Sequence, residues 1–253
     1  PTDINQVDFF TTPYHENGYT HYGALAHGVF NILNNMTKPQ GLYPYYISVS
    51  TPYRFTTNTV TMGGLGDSYY EYLLKLWIMT GRKHEQYRKM YVEAMHAVAK
   101  HQYGEVGGSG YIGSWDRQLR QGMDHLSCFS GGMLALGVYV GAVTDPIEAG
   151  RHMRMAMQVT RTCAYAYMTT ATGIGPDNMS VVTTGEINAI SPAYHLRPET
   201  AESLFILWRV TKDPIYREWG WAITQSLEES CKRPLGYTSL TDVRNKGALG
   251  NKQ

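Results

Sequence analysis

The sequence predicts an all-α fold in which pairs of helices repeat around an α/α toroid, with small β-hairpins in the loops. Three observations indicate this architecture. A ten-residue helical segment occurs twice, a glycine-led turn recurs at a regular spacing, and one inner helix is apolar over almost its whole length. Helix pairs that repeat in this way bury their inner faces by stacking on their neighbours.

The internal repeat joins residues 71–80 to residues 202–211, an offset of 131 positions. One Glu, two Leu, one Trp and one Thr occupy the same places in both copies. A short polar break and a second helical pattern follow each copy. In the later copy the break is Asp213-Pro214, and Pro suits the first turn of the next helix. Each copy is therefore the first helix of a helical hairpin.

Other helical patterns extend the series of hairpins. Residues 84–102 complete the first pair, and residues 126–143 and 146–169 form another. Residues 20–34 are predicted to be an outer helix whose inner partner is absent. Together these patterns account for about four helix pairs.

A glycine-led turn is predicted after each outer helix, and an irregular loop follows it. The loops contain short alternating stretches, such as residues 45–50, which favour small β-hairpins. The spacings between the four turns are 69, 63 and 63 residues, and the turns begin at Gly41, Gly110, Gly173 and Gly236.

The apolar character of the inner helix predicted at residues 126–143 favours a closed toroid over an open solenoid. Residues 126–143 read LSCFSGGMLALGVYVGAV, and a helix that is apolar all round is buried on all sides. A closed toroid is therefore favoured, but it needs more pairs than this chain contains. We expect residues 1–253 to form a single partial domain that is incomplete at both ends.

The composition argues against several classes of protein. The net charge is +1, and no basic stripe interleaves with aromatic residues, so nucleic-acid binding has little support. No apolar run approaches the length of about 20 residues that spans a bilayer. The N-terminus, PTDINQVDFF, lacks a signal-peptide pattern, so any targeting segment is expected to lie outside this chain.

The sequons and cysteines leave alternatives open. Asn35 and Asn178 begin sequons, which also arise by chance. Cys128, Cys163 and Cys231 show no zinc-binding spacing. One disulfide with one free thiol and three buried thiols are both compatible with the sequence.

Three residues that carry chemistry begin inner helices. Asp67, His125 and Glu199 stand at equivalent starts and should point into one mouth of the toroid. Helix N-termini offer free N–H groups and a positive dipole end, which suit anions. The alternative at each position is ordinary helix capping, which Asp, Ser and Thr commonly provide.

A second carboxylate strengthens the functional interpretation. Glu202 lies one turn after Glu199 on the same helix face, and the two would repel unless a cation or a proton intervenes. The adjacent Arg197 is expected to provide part of that compensation. Two carboxylates across an aromatic mouth suit glycoside hydrolysis, in which one protonates the leaving oxygen and the other activates water or attacks the sugar.

Three long motifs closely resemble glycoside hydrolase family 47, the class I α-1,2-mannosidases that trim N-glycans in the endoplasmic reticulum and Golgi. They are GGLGDSYYEYLLKLW at 63–77, MDHLSCFSGG at 123–132 and LRPETAESLFILWRVT at 196–211. The resemblance covers roughly residues 20 to 243. It implies an (αα)7 barrel, an inverting mechanism, bound Ca2+, high-mannose N-glycans as substrates, and the lumen of the secretory pathway or secretion as the location.

The resemblance also assigns roles to individual residues. It implies that Asp67 is a catalytic carboxylate on the acid side and that Glu199 is the general base. His125, Arg197 and Glu202 match positions that line the sugar and calcium pocket. It further implies a disulfide between Cys128 and Cys163 that leaves Cys231 free.

The chain departs from the family pattern at both ends. The family carries another catalytic-pocket glutamate upstream, and a calcium-binding threonine in a Thr-Glu motif near its C-terminus. The direct calcium ligand is therefore expected beyond Gln253, with Glu199 and Glu202 holding calcium-bound waters.

Two alternative functions compete with the mannosidase hypothesis. The first is a glycan-binding, degradation-enhancing relative with little or no hydrolysis, but GGLGDS at residues 63–68 is more similar to the Golgi-type processing enzymes. The second is an unrelated α/α toroid such as a polysaccharide lyase or a terpene cyclase. The sequence lacks the Asp-rich diphosphate motif of the cyclases.

Overall fold

The helical hairpins that the repeat predicts are present in the computed structural model, which describes residues 20–182 and 184–250. The initial segment PTDINQVDFF lies outside these residues. None of the helices in the described ranges combines the length and apolar character that crossing a membrane requires. The seven α-helices of this part of the chain are α1 (Thr20–Asn35), α2 (Asp67–Met79), α3 (Glu85–His101), α4 (Phe129–Tyr139), α5 (Pro146–Met168), α6 (Glu199–Thr211) and α7 (Ile215–Ser230).

Short antiparallel strands fill several of the loops between the hairpins, as the sequence predicts, but residues 45–50 form no strand and contribute an isolated bridge between Ile47 and Phe55. β1 (Tyr103–Val106) pairs with β2 (Ser109–Ile112) directly after α3. A three-stranded sheet has the order β3-β4-β5, and a last hairpin pairs β6 with β7. The ranges of these five strands are β3 Met123–Asp124, β4 Asn178–Val181, β5 Ile187–Ser191, β6 Lys232–Arg233 and β7 Gly236–Tyr237.

Two of the four glycine-led turns differ from the prediction. Gly41 and Gly173 have φ of 80° and 69°, in the left-handed region that favours glycine. Gly110, however, lies within β2, and Gly236 lies within β7. At Gly110 the requirement is space rather than a turn, because a Cβ there would lie 2.8 Å from the Cβ of Gln158.

Helix α4 is buried over most of its length and packs against α5 and α6. It ends at Tyr139, earlier than predicted, and Gly141 follows with a left-handed φ of 76°. Small residues permit the close packing. A Cβ at Gly131 would collide with the Thr160 hydroxyl of α5, and the Gly132 N–H donates to Ser203 Oγ of α6 at 2.7 Å.

A disulfide between Cys128 and Cys163 ties the start of α4 to α5, which confirms the expected pairing. Cys231 is free and buried. The bridge spans a sequence separation of 35 residues. A loop of this length stabilises a fold by roughly 3–4 kcal/mol in the chain-entropy view.

The two sequons differ in their surroundings. Asn35 is exposed at the last position of α1. Asn178 is half-buried in the middle strand β4, and its Nδ2 donates to the carboxylate of Asp124. The Asn178 side chain therefore has a structural role, since it binds the residue that directly precedes His125.

We predict that Gly131→Ala destabilises the complete protein, because the added methyl group overpacks the contact between α4 and α5. The expected cost is about 1–3 kcal/mol, measured as a lower thermal midpoint. Gly28→Ala in α1 is the matched control, since a Cβ there meets no heavy atom within 4 Å. An equal or higher midpoint for Gly131→Ala would contradict the packing account.

Candidate active site

The candidate site lies where three helical segments begin. Asp67 is the first residue of α2, Glu199 is the first residue of α6, and His125 begins the 3-10 helix His125–Cys128 that leads into α4. His125 Nδ1 lies 3.0 Å from Glu199 Oε2. Asp67 is close enough to Glu199 for their repulsion to raise the pKa of Asp67. The structure thus brings together the three residues that the sequence places at one mouth.

Tight packing of the glycine-rich loop fixes the start of α2. A Cβ at Gly66 would collide with the Thr61 carbonyl oxygen, and a Cβ at Gly63 would collide with the Asp124 carboxylate. The Asp67 N–H donates to the Gly63 carbonyl at 3.0 Å. The first turn of α2 is therefore held against residues that precede α4.

Burial governs the electrostatics of Asp67. Removal from water raises its pKa, because the charged form loses hydration, and the charge on Glu199 raises it further. The Ser68 N–H donates to Asp67 Oδ1 at 2.8 Å and opposes this shift by stabilising the carboxylate. Retention of a proton to higher pH suits the acid side of an acid–base pair.

His125 is 1% exposed and uses both ring nitrogens. A carboxylate only accepts hydrogen bonds, so Nδ1 carries the proton and donates to Glu199. Nε2 then accepts from the Tyr167 hydroxyl at 2.7 Å, and the Thr200 hydroxyl lies 3.2 Å away. Sequence reasoning did not identify Tyr167 or Thr200 as site residues. The position of Thr200 beside Glu199 is a signal that could have found it, whereas Tyr167 lies 42 positions from His125.

Two tyrosines close the site behind His125. The rings of Tyr167 and Tyr194 lie 5.6 Å and 6.4 Å from the His125 ring. Burial raises the pKa of Tyr167 well above its ordinary value and that of Tyr194 to about 12. Both hydroxyls therefore keep their protons at neutral pH and act as hydrogen-bond donors.

Arg197 does not make the contact that was expected of it. Its Nε donates to Asp177 Oδ1 at 2.6 Å, and the Asp177 carbonyl accepts from the His125 N–H at 2.9 Å. The ion pair of Arg197 is therefore with Asp177, which the loop before β4 brings to it, rather than with Glu199 and Glu202 as expected. Lys75 is the cation that lowers the pKa of Glu202.

A second pair of carboxyl groups lies one helical turn further along α2 and α6. Glu71 hydrogen-bonds Glu202, and burial followed by repulsion from Glu71 raises the pKa of Glu202. Lys75 forms an ion pair with Glu71 on the same helix. Sequence reasoning missed Glu71, although the repeat aligns it with Glu202. The small pocket at this level is lined by Glu71, Leu74, Lys75, Met133, Leu136, Glu202 and Ile206.

The helical hairpins, with Asp67 and Glu199 at the starts of inner helices, are typical of α/α-toroid domains of the glycosidase class. Residues 15–253 match the profile of "Glycosyl hydrolase family 47". Since the match covers nearly the whole chain, the chain belongs to this family.

Named relatives and a solved structure agree with this assignment. A mouse protein, mannosyl-oligosaccharide 1,2-alpha-mannosidase IB, is 38% identical over 242 residues, which are 94% of this chain and 37% of the relative. A rat endoplasmic reticulum mannosyl-oligosaccharide 1,2-alpha-mannosidase is 36% identical over 219 residues, 82% of this chain and 32% of the relative. An alpha-1,2-mannosidase from Trichoderma reesei superposes with a TM-score of 0.83 at 25% identity, covering 96% of this chain and 54% of that one. The chain spans about a third of the length of these curated relatives.

We predict that Glu202→Gln stabilises the complete protein at neutral pH when divalent cations are chelated. The folded-state pKa of Glu202 is raised, so the folded protein binds the proton more tightly than the unfolded chain does. The folded protein therefore loses stability as pH rises from the ordinary pKa of a glutamate through the raised pKa of Glu202. The variant should melt at a higher temperature than the wild type at pH 7, and this difference should disappear near pH 4.

Thermal midpoints across this pH range provide the measurement. The control is Glu218→Gln, the same substitution on the exposed side of α7. A lower midpoint for Glu202→Gln at pH 7 would contradict the repulsion between Glu71 and Glu202.

Proposed function

We propose that the complete protein hydrolyses terminal α-1,2-linked mannose from high-mannose N-glycans, with inversion at the anomeric carbon. Family membership and the names of the relatives support the substrate class. The observation that carries the proposal is the arrangement of Asp67, His125 and Glu199 at the starts of inner helices.

Glu199 is suited to act as the general base. Its Oε2 accepts from His125, which orients the carboxylate and stabilises its charge. The side chain is 16% exposed, so a water molecule can reach it. In an inverting reaction this carboxylate removes a proton from water as the water attacks the face opposite the leaving group.

Asp67 is suited to the acid side of the reaction. Its raised pKa keeps a proton available for the leaving oxygen, directly or through a water molecule. Repulsion from the charge on Glu199 makes Asp67 keep its proton more readily, so that Asp67 can serve as the acid and Glu199 as the base. Arg197 and Glu202 are proposed to line the sugar pocket beside them.

A location in the lumen of the secretory pathway, or secretion, agrees with the disulfide. A bridge such as Cys128–Cys163 persists in oxidising compartments and is rare in the cytosol. Rat and mouse relatives carry the endoplasmic reticulum in their names. N-glycans of passing glycoproteins are the substrates available there.

We predict that Glu199→Gln lowers mannose release by the complete protein by roughly 10²–10⁴-fold, because the amide cannot take the proton from water. Asp67→Asn should also lower the rate strongly. Release from an α-1,2-linked mannobiose is measured by proton NMR, which also shows whether β-mannose forms first, as inversion requires. Exposed Glu218→Gln is the matched control and should keep wild-type activity.

Full activity of Glu199→Gln would remove the proposed role of that residue. Initial formation of α-mannose would contradict inversion. Binding of high-mannose glycan without turnover by the wild type would favour the degradation-enhancing, glycan-binding alternative.

Calcium dependence is part of the proposal. In the described residues no group of three or more His, Cys, Asp or Glu side chains is placed to hold a metal directly. The chemistry of Glu71, Glu199 and Glu202 nevertheless fits a calcium ion bound through water, since their oxygens are hard ligands and since burial, together with repulsion from the other two, raises the pKa of Glu202. When bound, the ion would supply positive charge that offsets this repulsion and orients water in the pocket.

We predict that a calcium chelator lowers both the activity and the thermal midpoint of the complete protein. Calcium at about 100 times its dissociation constant should restore about 2.7 kcal/mol of stability by mass action, and magnesium should restore less. The stability gain should be smaller in Glu202→Gln. Unchanged midpoint and activity in the chelator would contradict the calcium proposal.

A further inference from the structure

Tyr167 connects the outer helix α5 to His125 and, through it, to Glu199. It lies near the end of α5 and is 2% exposed. Its hydroxyl lies 2.7 Å from His125 Nε2, on the opposite side of the imidazole ring from Glu199. A continuous series of hydrogen bonds therefore runs from α5 through His125 to the carboxylate of Glu199.

The surroundings of the Tyr167 ring fix its position. A Cβ at Gly175 would lie 2.5 Å from the ring, so glycine is required there to make room for it. The Tyr194 ring packs at 6.3 Å, with the two planes at 80°. The disulfide from Cys163, one turn earlier on α5, holds this helix to Cys128, three residues after His125.

We propose that Tyr167 is a positioning residue for hydrolysis, acting through His125 to orient Glu199 and maintain its hydrogen bond. This inference rests on the proposed function and deepens it. The Tyr167 hydroxyl donates to Nε2 and so stabilises the tautomer in which Nδ1 carries the proton. Only the Nδ1-protonated tautomer donates a hydrogen bond to the Glu199 carboxylate, whereas the Nε2-protonated tautomer would direct the Nδ1 lone pair at that carboxylate.

The groups that face His125 leave Tyr167 as its best-placed donor. Glu199 from α6 contacts Nδ1, and Thr200 lies 3.2 Å from Nε2, a longer contact than that of Tyr167. Tyr194 contacts the ring edge-on at 6.4 Å, and its side chain and that of Thr200 also hydrogen-bond Tyr167. Asp177 contributes its backbone carbonyl to the His125 N–H. Loss of the Tyr167 hydroxyl would leave a buried nitrogen with only the weaker Thr200 contact.

The first test is Tyr167→Phe in the complete protein. We expect kcat for mannose release to fall about 5- to 30-fold with KM within twofold, because the loss affects the orientation of Glu199 rather than sugar binding. Tyr165→Phe is the matched control, since this tyrosine lies on the same helix and contacts Trp219 and Arg161 instead. It should retain wild-type kcat.

A double-mutant cycle separates action through His125 from a general effect on the fold. In a His125→Ala background, Tyr167→Phe should change kcat less than twofold. An undiminished loss in that background, or wild-type kcat for Tyr167→Phe alone, would overturn the inference.

The nitrogen-15 NMR signals of labelled histidine test the same idea without activity. His125, assigned by its absence in His125→Ala, should show the Nδ1-protonated tautomer in the wild type and a shift toward the other tautomer in Tyr167→Phe. An Nε2-protonated wild type, or identical spectra, would overturn the positioning role. Failure of the wild type to release mannose would count against the proposed function, and the tautomer result would still decide the role of Tyr167.

Discussion

The hydrogen bond between His125 and Glu199 is the interaction on which the candidate site depends, because it joins the starts of two neighbouring inner helices. It forms only where α4 and α6 approach closely. Gly132 permits that approach, since a Cβ there would lie 2.9 Å from Ile206 Cδ1 and 3.1 Å from Ser203 Cα. The Gly132 N–H donates to Ser203 Oγ, and Ser203 in turn donates to the Cys128 carbonyl. A larger residue at Gly132 would displace α6 and with it the carboxylate.

The repeat explains why acidic groups meet in layers. Equivalent positions of successive inner helices face the same axis, so Glu71 and Glu202 meet one turn below Asp67 and Glu199. Such layers are costly unless protons or cations balance them. Lys75 offsets part of the charge in the lower layer, and the proposed calcium ion would offset more. We propose that the same concentration of charge provides the acid and base groups for hydrolysis.

The helices and the first residues of α2 and α6 were predictable, because local patterns determine both, whereas α4 begins at Phe129, after the 3-10 turn that His125 opens. Asp67, His125 and Glu199 were found in this way, and the Cys128–Cys163 bridge followed from family resemblance. The contacts of Tyr167 and Asp177 were not predictable, since they join residues 42 and 20 positions away through tertiary packing. The ion pair of Arg197 was wrongly expected for the same reason, since its partner Asp177 is brought to it by tertiary packing. Gly110 was predicted to begin a turn but lies in β2, because the sequence does not distinguish a glycine required for space from one required for a turn.

The most direct test of the account is a crystal structure of the complete protein with a sulfur-linked α-1,2-mannobiose, which resists hydrolysis. The account predicts that the sulfur lies on the side of Asp67. The opposite face of the anomeric carbon should lie toward Glu199, with room for one water molecule between them and with His125 still bonded to the carboxylate. A sugar bound elsewhere, or an anomeric carbon in direct contact with Glu199 and without space for water, would contradict it.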